Sequence, residues 1–155
     1  MRYLSQLREG EDLFYIDLQN LNEGVKTTKA ISIVYEHEDV ADYGCGVSAP
    51  SDTWTIRFNT EIGERNIQFD TPNTEYKYLE FKNVVNKNGQ VTVNQYRYII
   101  GADKDIIVKQ LKKDNANTVE SLCNRKAALE HELIVVQHQY NVLTKNLELI
   151  NELIK

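Results

Sequence analysis

Cys45 and His37 are the one nearby pair of side chains whose types suggest nucleophilic catalysis. A cysteine between two glycines can present an exposed thiol, and a neighbouring histidine can take its proton. No acidic or amide residue can be assigned from the sequence to orient the histidine, and the local signatures of cysteine hydrolases are absent. We therefore expect Cys45 to be an ordinary loop cysteine and the protein not to be an enzyme.

The acidic stretch around His37 is the first candidate for a metal site. It lacks the spaced pattern of a calcium loop, and one histidine among carboxylates is typical of a solvated turn. His131 and His138 are seven residues apart, on the outer face of a predicted helix, where zinc binding between chains is improbable. Neither a metal nor a cofactor is expected. The acidic residues of the stretch are Glu36, Glu38, Asp39 and Asp42.

Tyrosines and basic residues alternate between positions 75 and 100, in a predicted hairpin. Aromatic rings can stack on bases while cations neutralise phosphates, so this pattern could bind a nucleotide or single-stranded nucleic acid. Tyrosine is also a common strand residue, and a net charge of -5 argues against binding through bulk charge. Packing within the sheet is the favoured interpretation. The candidate binding residues are Tyr76, Tyr78, Lys82, Tyr96, Arg97 and Tyr98.

Apolar residues recur every three and four positions between residues 119 and 154. Taking Val119 as an a position, ten of the eleven a and d positions are apolar or aromatic, and Lys126 is the exception. This heptad pattern predicts a coiled-coil helix with a self-associating seam. The seam residues are Val119, Leu122, Leu129, Leu133, Val136, Tyr140, Leu143, Leu147, Ile150 and Ile154.

The width of the apolar face indicates how many helices it joins. The c positions Val135, Val142 and Leu149 add a second stripe, and Val136 and Ile150 are β-branched at d, where parallel dimers favour leucine. Both features favour a trimer or a larger assembly over a dimer. Few charges flank the seam, which suits self-association. The alternative is a helix that covers its own N-terminal domain.

The rest of the chain predicts an antiparallel β-rich part, which makes the fold α+β. Alternating residues predict six strands, and a slip in the alternation predicts either a β-bulge or a strong bend in the hairpin 75–100. A long loop is expected from Asp39 to Asp52. The expected domains are a β-rich head (1–101), a helical connector (102–117) and a coiled-coil oligomerisation helix (118–155). The helix either continues from Asp103 or has a hinge near residues 114–117.

Bulk composition fits an ordinary globular protein. The 155 residues are 41% hydrophobic and 26% charged, and the two cysteines do not form a disulfide framework. No run of residues approaches the length of a membrane span. These features predict a protein of the cytoplasm with reduced thiols and no membrane partner.

Four segments resemble small SH3-like barrels: residues 10–17, with an acidic turn leading into a strand, and residues 29–33, 54–58 and 65–69. The resemblance covers about residues 8–70 and implies a barrel. The hairpin 75–100 and the long loop depart from a minimal barrel, which leaves a β-sandwich or a helix-covered open sheet as alternatives. A small barrel followed by a helix is similar to short proteins of bacteriophages and mobile elements, which implies a viral origin.

These features together predict a non-enzymatic, homo-oligomeric binding or structural protein. A phage-encoded virion component, an assembly factor or an inhibitor of a host system fits this description, in the host cytoplasm or the virion. Its partners are expected to be itself and another protein. The alternative function is a nucleic-acid or nucleotide binder that uses the hairpin 75–100.

Overall fold

The computed structural model describes residues 2–39, 46 and 49–155. The described residues form six strands and one long helix, so the α+β prediction is confirmed. No helix in this part of the chain is both long and apolar enough to span a membrane. The elements are β1 Asp12–Asp17, β2 Lys26–Glu38, β3 Ser51–Thr60, β4 Gly63–Phe69, β5 Tyr76–Lys87, β6 Gln90–Gly101 and α1 Lys104–Ile154.

The six strands form one antiparallel sheet in the order β4-β3-β2-β1-β6-β5. The sheet curves until its two edge strands approach each other, where the guanidinium of Arg65 on β4 lies 4.2 Å from the ring centre of Phe81 on β5. Among the described residues no backbone ladder joins β4 to β5. The head is therefore a nearly closed barrel, compatible with the SH3-like expectation.

Inward-facing residues of the strands fill the barrel. Because side chains alternate along a strand, Ile67 and Phe69 both face inward as predicted, and Ile56, Phe58 and Leu13 are fully buried with them. The core also takes in the turn before β1. Its buried members are Leu4, Leu7, Leu13, Tyr15, Ala30, Ile56, Phe58, Ile67, Phe69, Tyr98, Ile100 and Ala102.

The hairpin β5–β6 has no bulge, so of the two sequence alternatives the bulge is wrong. Its register runs without a shift from Tyr76 opposite Gly101 to Lys87 opposite Gln90. Asn88 and Gly89 both have positive φ, 53° and 78°, which is the conformation that a two-residue hairpin turn requires. The alternation seemed to slip in the sequence because both faces of this hairpin carry apolar or aromatic side chains.

The two strands that flank the loop predicted from Asp39 to Asp52 overlap that prediction at Ser51 and Asp52. β2 continues to Glu38 and β3 begins at Ser51, so Glu36, His37 and Glu38 are strand residues paired with Thr53, Asp52 and Ser51. The extra pairing satisfies backbone groups that a loop would leave to water. The sheet's irregularity lies in this pair of strands, between Ala30 and Ser32. Asp42 and Cys45 lie outside the described residues.

The helix α1 is continuous from Lys104, so of the two sequence alternatives the hinge is wrong. The Asp103 carboxylate accepts a hydrogen bond of 2.9 Å from the Asp105 amide, which caps the first turn as predicted. Ile107 is fully buried, and a Cβ on Gly101 would lie 3.1 Å from its Cγ1. The chain forms two compact units that divide between Gln110 and Leu111.

Candidate assembly interface

The seam of α1 is exposed along its whole length. All ten predicted seam residues are between 51% and 78% exposed, from Ile150 to Ile154. Ordinary surface leucines occur singly, whereas a contiguous apolar stripe on one helix indicates an interaction surface.

A second stripe widens the apolar surface in the C-terminal half of the helix. Val135, Val142 and Leu149, at c positions, are 44%, 45% and 51% exposed. Ile134 at a b position, 67% exposed, and Leu153 at a g position, 86% exposed, were not predicted as interface residues. Their apolar character was the available signal, but they lie outside the strict heptad seam.

The helix forms locally because nothing in its sequence interrupts it. No glycine or proline occurs after Gly101, and polar side chains find partners along the helix itself. The Gln137 amide donates to Asn141 at 3.1 Å, and the hydroxyl of Thr144 donates to the Tyr140 carbonyl at 2.9 Å. Hydrogen bonds within the helix therefore satisfy the polar side chains of Gln137 and Thr144. The apolar seam has no partner in its own helix.

Between successive seam residues the surface of α1 has shallow depressions. One of them spans about three turns and has an apolar floor with charged rims, which is the shape that receives a side chain in knobs-into-holes packing. Its lining residues are Leu122, Arg125, Lys126, Leu129, Glu130 and Leu133.

The candidate binding residues of the hairpin divide between its two faces. Directly paired residues point to the same side of an antiparallel sheet. Tyr78 pairs with Ile99 and Lys82 with Gln95, whereas Leu79 pairs with Tyr98 and Phe81 with Tyr96. Tyr76, Tyr78, Lys82 and Arg97 therefore share the outer face, and Tyr96 and Tyr98 face the barrel interior.

The two inner tyrosines pack in the core. Tyr98 is 3% exposed, with its ring centre 5.4 Å from that of Tyr15, and Tyr96 stacks on Phe81 at 5.2 Å. Burial, reinforced by the charge of Asp17, raises the pKa of Tyr98 to about 12. These rings stabilise the barrel and do not present a stacking surface for bases.

Four of the six candidate residues lie on the outer face of the hairpin. Tyr76 and Tyr78 meet edge to face with ring centres 5.7 Å apart, and the Arg97 guanidinium donates to the Glu80 carboxylate at 2.7 Å. This ion pair neutralises one of the two cations. The face therefore offers stacking rings but little net positive charge.

His37 has an acidic partner that sequence reasoning missed. Its Nδ1 lies 2.6 Å from Oδ1 of Asp52, which also accepts a hydrogen bond of 2.9 Å from the Tyr35 hydroxyl, and its Nε2 lies 3.2 Å from Asp39. The hydrogen bond to Asp52 raises the pKa of His37, and the same bond lowers the pKa of Asp52. The sequence carried no signal for this contact, because the contact depends on the β2–β3 register, which sets residues 37 and 52 opposite each other.

This exposed cluster can orient an imidazole, but it is not a complete active site among the described residues. The candidate nucleophile Cys45 lies outside them. The part of the chain that the structure describes contains no group of three or more metal-ligating side chains. His131 and His138 both lie on α1, and Cys123 is exposed there as a free thiol.

Comparisons of this chain with protein-family models, with curated proteins and with solved structures find no match. The chain's own residues and geometry are therefore the basis for its function.

Proposed function

We propose that this protein is a non-enzymatic binding or structural protein that self-associates through α1. The observation that carries the proposal is the seam of ten apolar residues, each more than half exposed in the single chain. A helix with this pattern is stabilised chiefly by burying its apolar face against another element. A second copy supplies the same face in the same pattern.

The expected energies favour association. Fully burying one large apolar side chain contributes about 1.5–3 kcal/mol. Ten half-exposed side chains therefore supply roughly 7 kcal/mol or more per chain, even at the lower value. Association costs about 4–15 kcal/mol in lost freedom, so two or three contributing chains offset it.

A trimer or a larger assembly suits this surface better than a dimer. Two helices would cover the a and d positions but leave the stripe of Val135, Val142 and Leu149 in water. β-branched Val136 and Ile150 at d also disfavour a parallel dimer. Each further helix covers part of the second stripe.

Several copies of the head on one assembly would give avidity for a protein partner, since linked sites raise the effective concentration. The resemblance of a small barrel plus helix to short phage proteins supports a role as a virion component, an assembly factor or an inhibitor of a host system. The corresponding location is the host cytoplasm or the virion.

The first prediction tests assembly by solution mass. The full chain should have at least three times the 17.9 kDa of one copy, measured by light scattering. Leu143→Glu places a charge in the seam and should shift the mass strongly towards one copy. Lys145→Glu, two residues further at an outer f position, is the matched control and should leave the assembly unchanged. A single-copy mass for the unmodified chain would contradict the proposal.

Nucleic-acid or nucleotide binding through the hairpin is the second candidate function. It is favoured by the one observation that Tyr76, Tyr78, Lys82 and Arg97 share the outer face. No binding to a labelled single-stranded oligonucleotide at low salt, or binding that Lys82→Glu leaves unchanged, would end this candidate.

A further inference from the structure

Charged residues at the edges of the α1 seam are confined to a short segment. Arg125 and Glu132 occupy g positions and Glu130 an e position, whereas every e and g residue from 137 to 153 is uncharged. Edge charges of neighbouring helices determine their relative orientation in a coiled coil. The distribution of these three charges therefore carries information about how the copies are arranged.

Arg125 and Glu130 cannot pair within one helix. They are five residues apart, which separates them by roughly 140° around the helix axis and places them on opposite flanks of the seam. The described part of the chain shows no ion pair for Arg125. Glu130 approaches Lys126 at 3.8 Å, with both side chains more than 60% exposed, so this contact is weak. Both groups remain open to a charge on another chain.

Two helices that run parallel and in register bring these charges together. In that arrangement a g residue lies beside the e residue five positions later on the neighbouring helix, so Arg125 of each chain meets Glu130 of the next. In a centred antiparallel arrangement the same segment faces the C-terminal half of the partner, where all edge residues are uncharged. Charge complementarity is realised in the parallel arrangement alone.

Lys126 strengthens the same conclusion because it is the single charged residue among the a and d positions. One polar a residue specifies register, at a cost in stability. In register, all Lys126 side chains share one layer, with the Glu130 carboxylates beside it. A shift of one heptad would place each Lys126 against Val119 or Leu133 of another chain and would separate Arg125 from Glu130.

We infer that copies of this chain associate through α1 in parallel and in register, with Arg125 of one chain paired to Glu130 of its neighbour. The inference rests on the proposed self-association and adds the geometry of the partner. Because the helices then begin at one end of the bundle, the heads enter from that same end, as a cluster that can engage a multivalent partner.

Charge exchange tests the pairing. Arg125→Glu and Glu130→Arg, each alone, should weaken association of the full chain about threefold to tenfold, because each turns the interchain attraction into repulsion. The double variant should restore it, and an equimolar mixture of the two variants should restore it in part, because a mixed trimer keeps one interface between like charges. Lys145→Glu at an f position is the control. Equal association of all four proteins would overturn the pairing.

Distances between labels test the orientation. In a Cys45→Ser variant, a spin label on the native Cys123 of each copy reports one position per chain. Parallel, in-register helices lie about 10 Å apart, so the labels should be within roughly 25 Å of each other. Centred antiparallel helices would separate them by about 40 Å along the axis.

The two measurements separate the two proposals. An assembled protein with label distances near 40 Å would overturn the parallel arrangement and leave the proposed self-association standing. A protein with the mass of one copy would overturn both. An assembled protein with short label distances and partly restored association in the mixture is the expected result.

Discussion

Pairing between β2 and β3 creates an exposed contact between the His37 imidazole and the Asp52 carboxylate. The register of β2 and β3 sets them opposite each other, with Nδ1 and Oδ1 2.6 Å apart. Tyr35 donates to the same carboxylate, and Asp39 lies on the far side of the imidazole. Because the groups are exposed, their contribution to stability is small. The pKa of His37 nevertheless depends directly on its contact with Asp52.

The pH dependence of the pair follows from the two shifts. The raised pKa of His37, above its ordinary 6.5, means that the stability contributed by the charged imidazole is present below that pH and is lost as pH rises through the folded pKa. The lowered pKa of Asp52, below its ordinary 3.8, means that its contribution is lost as pH falls through the folded value. The ion pair therefore acts between the two folded pKa values.

We predict that Asp52→Asn lowers the pKa of His37, because it removes the carboxylate that is the main cause of the shift. Titration of the His37 imidazole by NMR measures this directly. Asp70→Asn is the matched control, since Asp70 is an exposed carboxylate whose hydrogen bond is to the adjacent Thr71. An unchanged His37 titration in Asp52→Asn would contradict the observed contact.

At the scale of elements, the placement of apolar residues has different consequences in the helix and in the hairpin. In α1, a regular spacing of apolar residues produces one exposed face, and Lys126 interrupts it at one position. In the hairpin, apolar residues occur on both faces, and both faces are buried where β6 pairs with β1, at Ile99 and Ile100. Nearer the turn an exposed patch remains at Val84 and Val93, which face each other and are 61% and 54% exposed.

We predict that Lys126→Leu stabilises the assembly and reduces its uniformity. The ion pair that it removes is exposed and contributes little, whereas a buried leucine contributes about 1.5 kcal/mol or more per chain. The thermal midpoint followed by circular dichroism should rise, and light scattering should show a broader range of masses because the register-setting residue is gone. Lys145→Leu at an f position should change neither; an unchanged midpoint in Lys126→Leu would argue against a buried seam.

At the scale of the molecule, the two compact units should differ in how they depend on concentration. The unit formed by residues 1–110 has its own core, whereas the helical unit from Leu111 onward exposes its apolar residues when alone. A structure stabilised by association unfolds at a temperature that depends on protein concentration, and one stabilised by an internal core does not.

We predict two thermal transitions. The single tryptophan, Trp54, stacks on Phe69 with ring centres 5.7 Å apart, so its fluorescence follows the head. Circular dichroism at the helical band follows α1 and should shift to higher temperature as concentration rises, while the Trp54 transition stays fixed. One concentration-independent transition seen by both probes would indicate that the helix is stabilised within its own chain.

The sequence by itself determined the elements whose causes are local. The capped start of α1 at Asp103, its heptad pattern with the one exception at Lys126, and the positive φ of Gly89 follow from nearby residues, and so do the strands. The near closure of the barrel and the inward direction of Tyr96 and Tyr98 were decided by the tertiary structure. These depend on which distant strand pairs with which and in what register, and no local pattern encodes that. The Asp52 partner of His37 belongs to the same class, because fifteen residues separate the two in the chain and only the β2–β3 pairing brings them together.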